Sequence, residues 1–154
     1  MQNIIIRKAT LNDMDTLLIF EQGVIAAERP FDPTIDVDPI NYYDLNTLLI
    51  ALHCHLVVAE LDGEPIGSGY ARIETGKPFL KHKQHAYLGF MYVLPQHRGK
   101  GVNRLVIDAL KKWSRDKGIT EFRLEVYYDN EPAIKAYEKV GFSRHMITMR
   151  CGDN

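Results

Sequence analysis

The turn Gln96-His97-Arg98-Gly99-Lys100-Gly101 combines glycines and cations in a pattern that suits phosphate groups. Gly99 and Gly101 carry no side chain that would hold a ligand away from the backbone. Because a helix is predicted to begin at Val102, its first N–H groups and the partial positive charge of its N-terminus would face the same place. Arg104 adds a further cation. The turn is therefore predicted to bind a pyrophosphate.

This turn differs from two common phosphate motifs. A dinucleotide-binding loop needs a third glycine three places after Gly101, where the chain has Arg104, and a P-loop needs Ser or Thr after Gly-Lys, where it has Gly101. Taken alone, the turn also fits an ordinary connection between a strand and a helix.

Tyr137 is a second candidate for chemistry, because it follows Ala133 by four positions and shares a helix face with it. Such a tyrosine is either a packed core residue or a proton donor. Its reference pKa of about 10 keeps the hydroxyl protonated at neutral pH, so it has a proton to give.

Other candidate sites are weaker. His53-Cys54-His55 and His82-x-x-His85 lack the four ligands of a closed zinc site, and we expect no metal. Cys54 as an acyl-carrying nucleophile would need a partnering base that the sequence does not specify.

Hydrophobic periodicity gives the elements that position these residues. The first half is predicted to hold a strand over 4–8, a helix from Thr10, and a second helix from Asp38-Pro39 to Leu52. Two strands, 55–61 and 66–73, form a hairpin around Asp62-Gly63.

The second half is predicted to hold a strand over 85–94, a helix from Val102 to a cap at Gly118, a strand over 122–128, a helix from Asn130 to Gly141 and a strand over 142–150. The order is β-α-α-β-β-β-α-β-α-β, an α/β (α+β) fold. A right-handed crossover joining strands 85–94 and 122–128 predicts a mixed sheet with helices on both faces.

Composition limits the class of protein. A chain of 154 residues fits one domain, 1–154, and a net charge of -1 gives no reason to expect nucleic acid. No run approaches the roughly 20 apolar residues of a membrane span. Two widely separated cysteines indicate a reducing compartment, so we expect a cytoplasmic protein, and a homodimer stays open.

The order Gln96-x-x-Gly99-x-Gly101, a helix, Asn130, and then Ala133, Tyr137 and Gly141-Phe142 resembles the GNAT superfamily of N-acetyltransferases over residues 85–142. The resemblance implies a single GNAT domain whose two central parallel strands splay apart, with acetyl-CoA as co-substrate. In that family the pyrophosphate motif is Gln or Arg, two residues, Gly, one residue, and Gly or Ala. Many relatives have a further glycine where this chain has Asn103.

The resemblance also assigns roles. The pyrophosphate would be wrapped by Arg98, Gly99, Lys100, Gly101, Val102 and Asn103, after Gln96. Backbone groups of Met91, Tyr92 and Val93 would pair with pantetheine and polarise the thioester carbonyl. Asn130 would hydrogen-bond pantetheine, and Ala133 would complete the site. Tyr137 would be the general acid.

The general base is not identified by the sequence. Many relatives carry Glu or Asp on the strand over 85–94, which here contains no carboxylate. Glu74, His85 and Tyr92 remain candidates, directly or through water, although each is also compatible with a hydrated or packed side chain.

The resemblance places the acceptor beside the first two helices, a region rich in carboxylates. Glu28 and Asp32 are predicted to draw in a cationic amine, although aspartates in such loops also cap helices and turns. We therefore expect acetyl transfer to a primary amine, of a small molecule or a peptide, by direct attack in a ternary complex. The alternative is a non-catalytic sensor that binds acyl-CoA.

Overall fold

The computed structural model describes residues 3–153. Their strands form one sheet in the order β1-β2-β3-β4-β5, with bounds Ile4–Lys8, Cys54–Leu61, Glu64–Thr75, Gln84–Val93 and Phe122–Arg123. Neighbouring strands are antiparallel except β4 and β5, which are parallel. The predicted mixed sheet is confirmed, and the hairpin turns at Asp62-Gly63 as expected.

Helices cover both faces of the sheet, because the strands alternate between two cores. One core joins Leu56 and Val58 of β2 to α1 (Met14–Glu28) and α2 (Leu45–Ile50). The other joins Val57 and Ala59 to α3 (Val102–Asp116), with α4 (Glu131–Lys139) adding Ile134 to the buried residues and Tyr137 to this core's edge. No helix between residues 3 and 153 has the length and apolarity needed to cross a bilayer.

Asp13 fixes the approach of α1 to the sheet. Its two carboxylate oxygens accept from the guanidinium of Arg7 on β1, both at 2.8 Å, and one also accepts the N–H of Thr10 at 2.7 Å. A 3-10 turn over 11–13 precedes α1, so helical structure begins one residue after the predicted start at Thr10.

The second helix is shorter than predicted. It does not begin at Asp38-Pro39; α2 spans Leu45–Ile50, and residues 39–44 have no regular structure. The carboxylate of Asp44 accepts the N–H of Thr47 at 3.2 Å and so caps the helix at this later point.

Two predicted strands differ in the structure. The strand expected over 122–128 is reduced to Phe122–Arg123, and the final strand expected over 142–150 is absent from the described residues, where this segment is largely exposed. Alternating apolar residues create a strand only where a neighbouring strand accepts their backbone hydrogen bonds. The order found is β-α-α-β-β-β-α-β-α, without the last strand.

Strands β4 and β5 separate almost at once. Their pairing is confined to Ala86 with Phe122 and Tyr87 with Arg123. Beyond Tyr87, the edge of β4 that faces β5 is open, which is the geometry of splayed central strands.

Candidate functional site

The predicted phosphate turn lies where β4 leads into α3. Gly99 and Gly101 have φ of 76° and 81°, a left-handed conformation that favours glycine, and nothing lies within 4 Å of where their Cβ atoms would be. Gly101 is the N-cap of α3 with no side-chain cap, and the first helical bond is from the N–H of Leu105. The earlier N–H groups of this 15-residue helix therefore have no partner within the helix, which suits an anion.

The cations of the turn take different positions. Lys100 and Arg104 are exposed beside the helix N-terminus. Arg98 instead donates through Nε to the carbonyl oxygen of Val93 at 2.8 Å and lies over the ring of Tyr92. Arg98 therefore binds the last residue of β4 through its side chain and also adds a positive charge beside the turn.

A bulge in β4 decides which residues face the open edge. Ala86 donates its N–H to Glu121 beside β5, whereas Leu94 donates its N–H to Ile66 beside β3. The pairing with β3 shifts between Gly89 and Tyr92, where the strand holds one extra residue. Strand alternation then places the N–H and C=O of Met91 and Val93 on the open edge, as the pantetheine prediction requires.

Tyr137 lies on α4 at the edge of the core beside α3. Its ring meets Phe142 edge to face, with centroids 6.0 Å apart. Burial, followed by the nearby negative charge of Glu28, raises the pKa of Tyr137 to about 12. The hydroxyl therefore keeps its proton at neutral pH and is available as a donor.

Asn130 starts the helix that carries Tyr137. Its Oδ1 accepts the N–H of Ala133 at 3.3 Å, so the side chain is the N-cap of α4. Both residues are half-buried. The predicted contact of Asn130 with pantetheine would have to use its remaining amide group.

The three base candidates are placed differently. Glu74 and His85 are paired across β3 and β4, with Oε1 and Nε2 3.3 Å apart, and Arg72 also binds Glu74. The side chain of Tyr92 lies on the face of the sheet that α1 covers, with its ring centroid 5.1 Å from that of Phe20.

The ring of Tyr92 also occupies the space beside Gly23 on α1. A Cβ built at Gly23 would lie 2.6 Å from this ring. Since real Cβ atoms do not come so close, only glycine fits at position 23 while Tyr92 keeps this place.

Carboxylates lie at the end of α1, as predicted. Asp32 accepts the phenolic hydrogen of Tyr127 at 2.6 Å. Burial, the largest cause, and the charge of Asp32 raise the pKa of Glu28, while a hydrogen bond from Tyr42 opposes them. Burial is the largest cause that raises the pKa values of Tyr127 and Tyr137, and the charge of Glu28 adds to it in both.

Glu21 and a tyrosine-rich cavity were not assigned a role from the sequence. Glu21 is fully buried, and its Oε2 accepts the N–H groups of Tyr42 and Tyr43 at 3.0 and 2.8 Å. It thereby holds the chain before α2 against α1. Glu21 was one acid among many in the sequence, and only its apolar neighbours at helical spacing signalled burial.

The cavity of about 360 Å³ lies on the face of the sheet that α2 covers. Its lining includes the rings of Tyr42, Tyr43, Tyr70 and Tyr87, together with the Arg72–Glu74 pair. It includes Tyr42, whose pKa is raised by burial first and then by its interaction with Glu28 at the end of α1.

Comparison with known proteins agrees with this geometry. Residues 22–142 match the Acetyltransferase (GNAT) family. An N-alpha-acetyltransferase of Sulfurisphaera tokodaii is 30% identical over 142 residues, which is 89% of this chain and 78% of that protein. A thialysine N-epsilon-acetyltransferase of Sus scrofa is 32% identical over 94 residues, 56% of this chain and 54% of that protein.

Among solved structures, a predicted acetyltransferase with acetyl-CoA from Clostridium acetobutylicum superposes with a TM-score of 0.76 at 22% identity, covering 97% of this chain and 96% of that chain. The chain belongs to the GNAT family of acetyltransferases. It is an acyltransferase that uses acetyl-CoA to acetylate an amine.

Proposed function

We propose that this enzyme acetylates a primary amine that carries positive charge, with Tyr137 as the general acid. The observation that carries the proposal is the open edge of β4, which leads to the phosphate turn at 98–103 and whose Met91 and Val93 pack against the same core as Tyr137. When bound, acetyl-CoA supplies an activated thioester. The chain supplies the binding groups, their orientation and the proton.

The binding roles follow the positions of the backbone groups. The free N–H groups at the start of α3, with Lys100 and Arg104, would hold the pyrophosphate. The backbone of Met91 and Val93 would pair with pantetheine, and one of these N–H groups would stabilise the oxyanion.

The reaction we propose is direct transfer. The amine nitrogen bonds to the carbonyl carbon as the carbon–sulfur bond breaks, Tyr137 gives its proton to the thiolate, and the amine releases a proton to a base or to solvent. A covalent intermediate on Cys54 is disfavoured because burial raises the pKa of that thiol, which keeps it from ionising.

The acceptor is proposed to enter beside Glu28 and Asp32. Both carboxylates lie at the end of α1, where Asp32 accepts the hydroxyl hydrogen of Tyr127. The charge of Glu28, after burial, contributes to the raised pKa of Tyr137. The relatives named for N-alpha and thialysine amines show that this family accepts quite different acceptors. A polyamine, a lysine-like side chain or a basic peptide end would suit these charges.

The site of action is proposed to be the cytoplasm. Both cysteines are free thiols, and Cys151 is exposed to solvent. Free thiols persist in a reducing compartment.

A thiol-release assay with acetyl-CoA tests the proposal. The amine panel would contain spermidine, lysine, a basic peptide, glutamate and taurine at equal concentration. We expect release of CoA with the cationic amines and little with glutamate or taurine. Binding of acetyl-CoA without turnover on any amine would contradict the proposal and favour a sensor.

A further inference from the structure

Ser68 lies on β3 at the edge of the bulge of β4, where it pairs with Tyr92. It is fully buried, and its Oγ donates to the carbonyl oxygen of Phe90 at 3.0 Å. A Cβ at Gly67 would lie 2.7 Å from the carbonyl oxygen of Tyr92, and one at Gly69 would lie 2.6 Å from Cγ1 of Val106. Position 68 is therefore the one place in this triplet with room for a side chain.

Phe90 adopts a conformation that needs support. Its φ is 56°, in the left-handed region, which is strained for a residue with a bulky side chain. Two contacts support this conformation. The ring of Phe90 stacks on Tyr43 with centroids 4.5 Å apart, and the carbonyl oxygen of Phe90 accepts the hydrogen bond from the hydroxyl of Ser68.

The conformation of Phe90 sets the orientation of the residues after it. Before the bulge, Ala86 and Leu88 pack in the core beside α3. After it, Met91 and Val93 pack against the same core, so the side chains that face this core are even-numbered before the bulge and odd-numbered after it. Without the extra residue, the N–H and C=O groups of Met91 and Val93 would face β3 instead of the open edge.

We infer that Ser68 is a positioning residue for acetyl-CoA. Its bond to Phe90 maintains the bulge, and the bulge directs the backbone groups of Met91 and Val93 at the pantetheine arm. This role rests on the proposed function, because it assumes that pantetheine lies along the open edge. The phosphate turn, which begins beyond Val93, does not depend on it.

The two halves of CoA separate this role from a general loss of stability. Calorimetry would measure the Kd of Ser68→Ala for acetyl-CoA and for 3′-phospho-ADP, which is CoA without its pantetheine arm. We expect acetyl-CoA to bind about tenfold more weakly, the loss of about 1.4 kcal/mol of pairing along the edge. The Kd for 3′-phospho-ADP should stay at the wild-type value.

Ser114→Ala is the matched control. Ser114 is also fully buried, and its Oγ donates to a carbonyl oxygen, that of Leu110, at 2.8 Å within α3. We expect Ser114→Ala to lower the melting temperature without changing the ratio of the two Kd values. Should Ser68→Ala fail to fold, Ser68→Cys takes its place, because it keeps a weak donor of similar size.

The outcomes are distinct. An unchanged ratio in the Ser68 variant, or an equal change in the Ser114 variant, would overturn the positioning role. Wild-type protein that binds acetyl-CoA no more tightly than 3′-phospho-ADP would instead overturn the placement of pantetheine in the proposed function.

Discussion

The hydroxyl of Tyr127 donates to a carboxylate oxygen of Asp32 across 2.6 Å, and the ring of Tyr127 stacks on Phe31, the residue before that aspartate. These contacts tie the loop after α1 to the segment after β5. Hydrogen bonds from Thr34, the largest cause, and from Tyr127 lower the pKa of Asp32. At neutral pH the loop therefore presents an anion beside the proposed acceptor entrance.

Removing the charges of Glu28 and Asp32 together tests the acceptor preference. In Glu28→Gln with Asp32→Asn, we expect kcat/KM for a cationic amine to fall about tenfold, because both negative charges that would attract the amine are removed. The same preference in the wild type should weaken as salt rises. Asp15→Asn with Glu64→Gln removes two exposed charges elsewhere and should change neither value. An anionic amine as the best substrate would refute this assignment.

The phosphate turn can be tested with a pair of equivalent substitutions. Gly101→Glu puts a carboxylate against the pyrophosphate, and we expect calorimetry to show acetyl-CoA binding weakened at least about tenfold. Gly118→Glu is the control, since Gly118 shares the φ of 81° and the open surroundings of Gly101 but ends α3 instead of starting it. Equal affinities in the two folded variants would place the phosphates elsewhere.

Tyr137→Phe removes the proposed acid and keeps the ring. We expect kcat to fall about 100-fold while the Kd of acetyl-CoA barely changes. Because the pKa of Tyr137 is about 12, the hydroxyl is protonated throughout the usual assay range, and the ratio of wild-type to variant kcat should stay constant between about pH 7 and 9. Tyr128→Phe, at an exposed tyrosine on the preceding segment, should be silent. Near-normal kcat in Tyr137→Phe would leave Tyr137 as a packing residue.

Asp13 links stability to pH. Its bonds to Arg7, followed by the N–H of Thr10, lower its pKa against the opposing effect of burial. A lowered pKa stabilises the fold above the unfolded value of 3.8, and this stabilisation is lost as the pH falls through the folded value. Asp13→Asn should lower the free energy of unfolding by about 2 kcal/mol at pH 7. The difference from wild type should shrink below about pH 4 in urea melts, and a difference independent of pH would contradict this account.

The sequence predicted most of the sheet and the long helix α3 because their signals are local. Gly63 favours the turn of the β2–β3 hairpin, and apolar residues at helical spacing favour α3. The conformation of the turn before α3 was predictable for the same reason, because Gly99 and Gly101 adopt the positive φ that glycine allows. Phosphate binding at this turn stays a prediction.

Features that depend on distant partners were not predictable in this way. Segment 142–150 alternates like a strand, yet the structure gives it none, because pairing is decided by the neighbour and not by the segment. Helix α2 begins late because the carboxylate of Asp44, one of several aspartates there, happens to reach the N–H of Thr47. The role of Ser68 depends on a residue 22 positions away.

Gly23 and Tyr92 share one volume between α1 and β4. Neither position can therefore change by itself: a larger residue at 23 displaces the ring, and a smaller residue at 92 leaves a void against Phe20. In a library that randomises both positions, surviving clones should couple a larger residue at 23 with a smaller one at 92. Because of this contact, two positions that are distant in the chain can change only together.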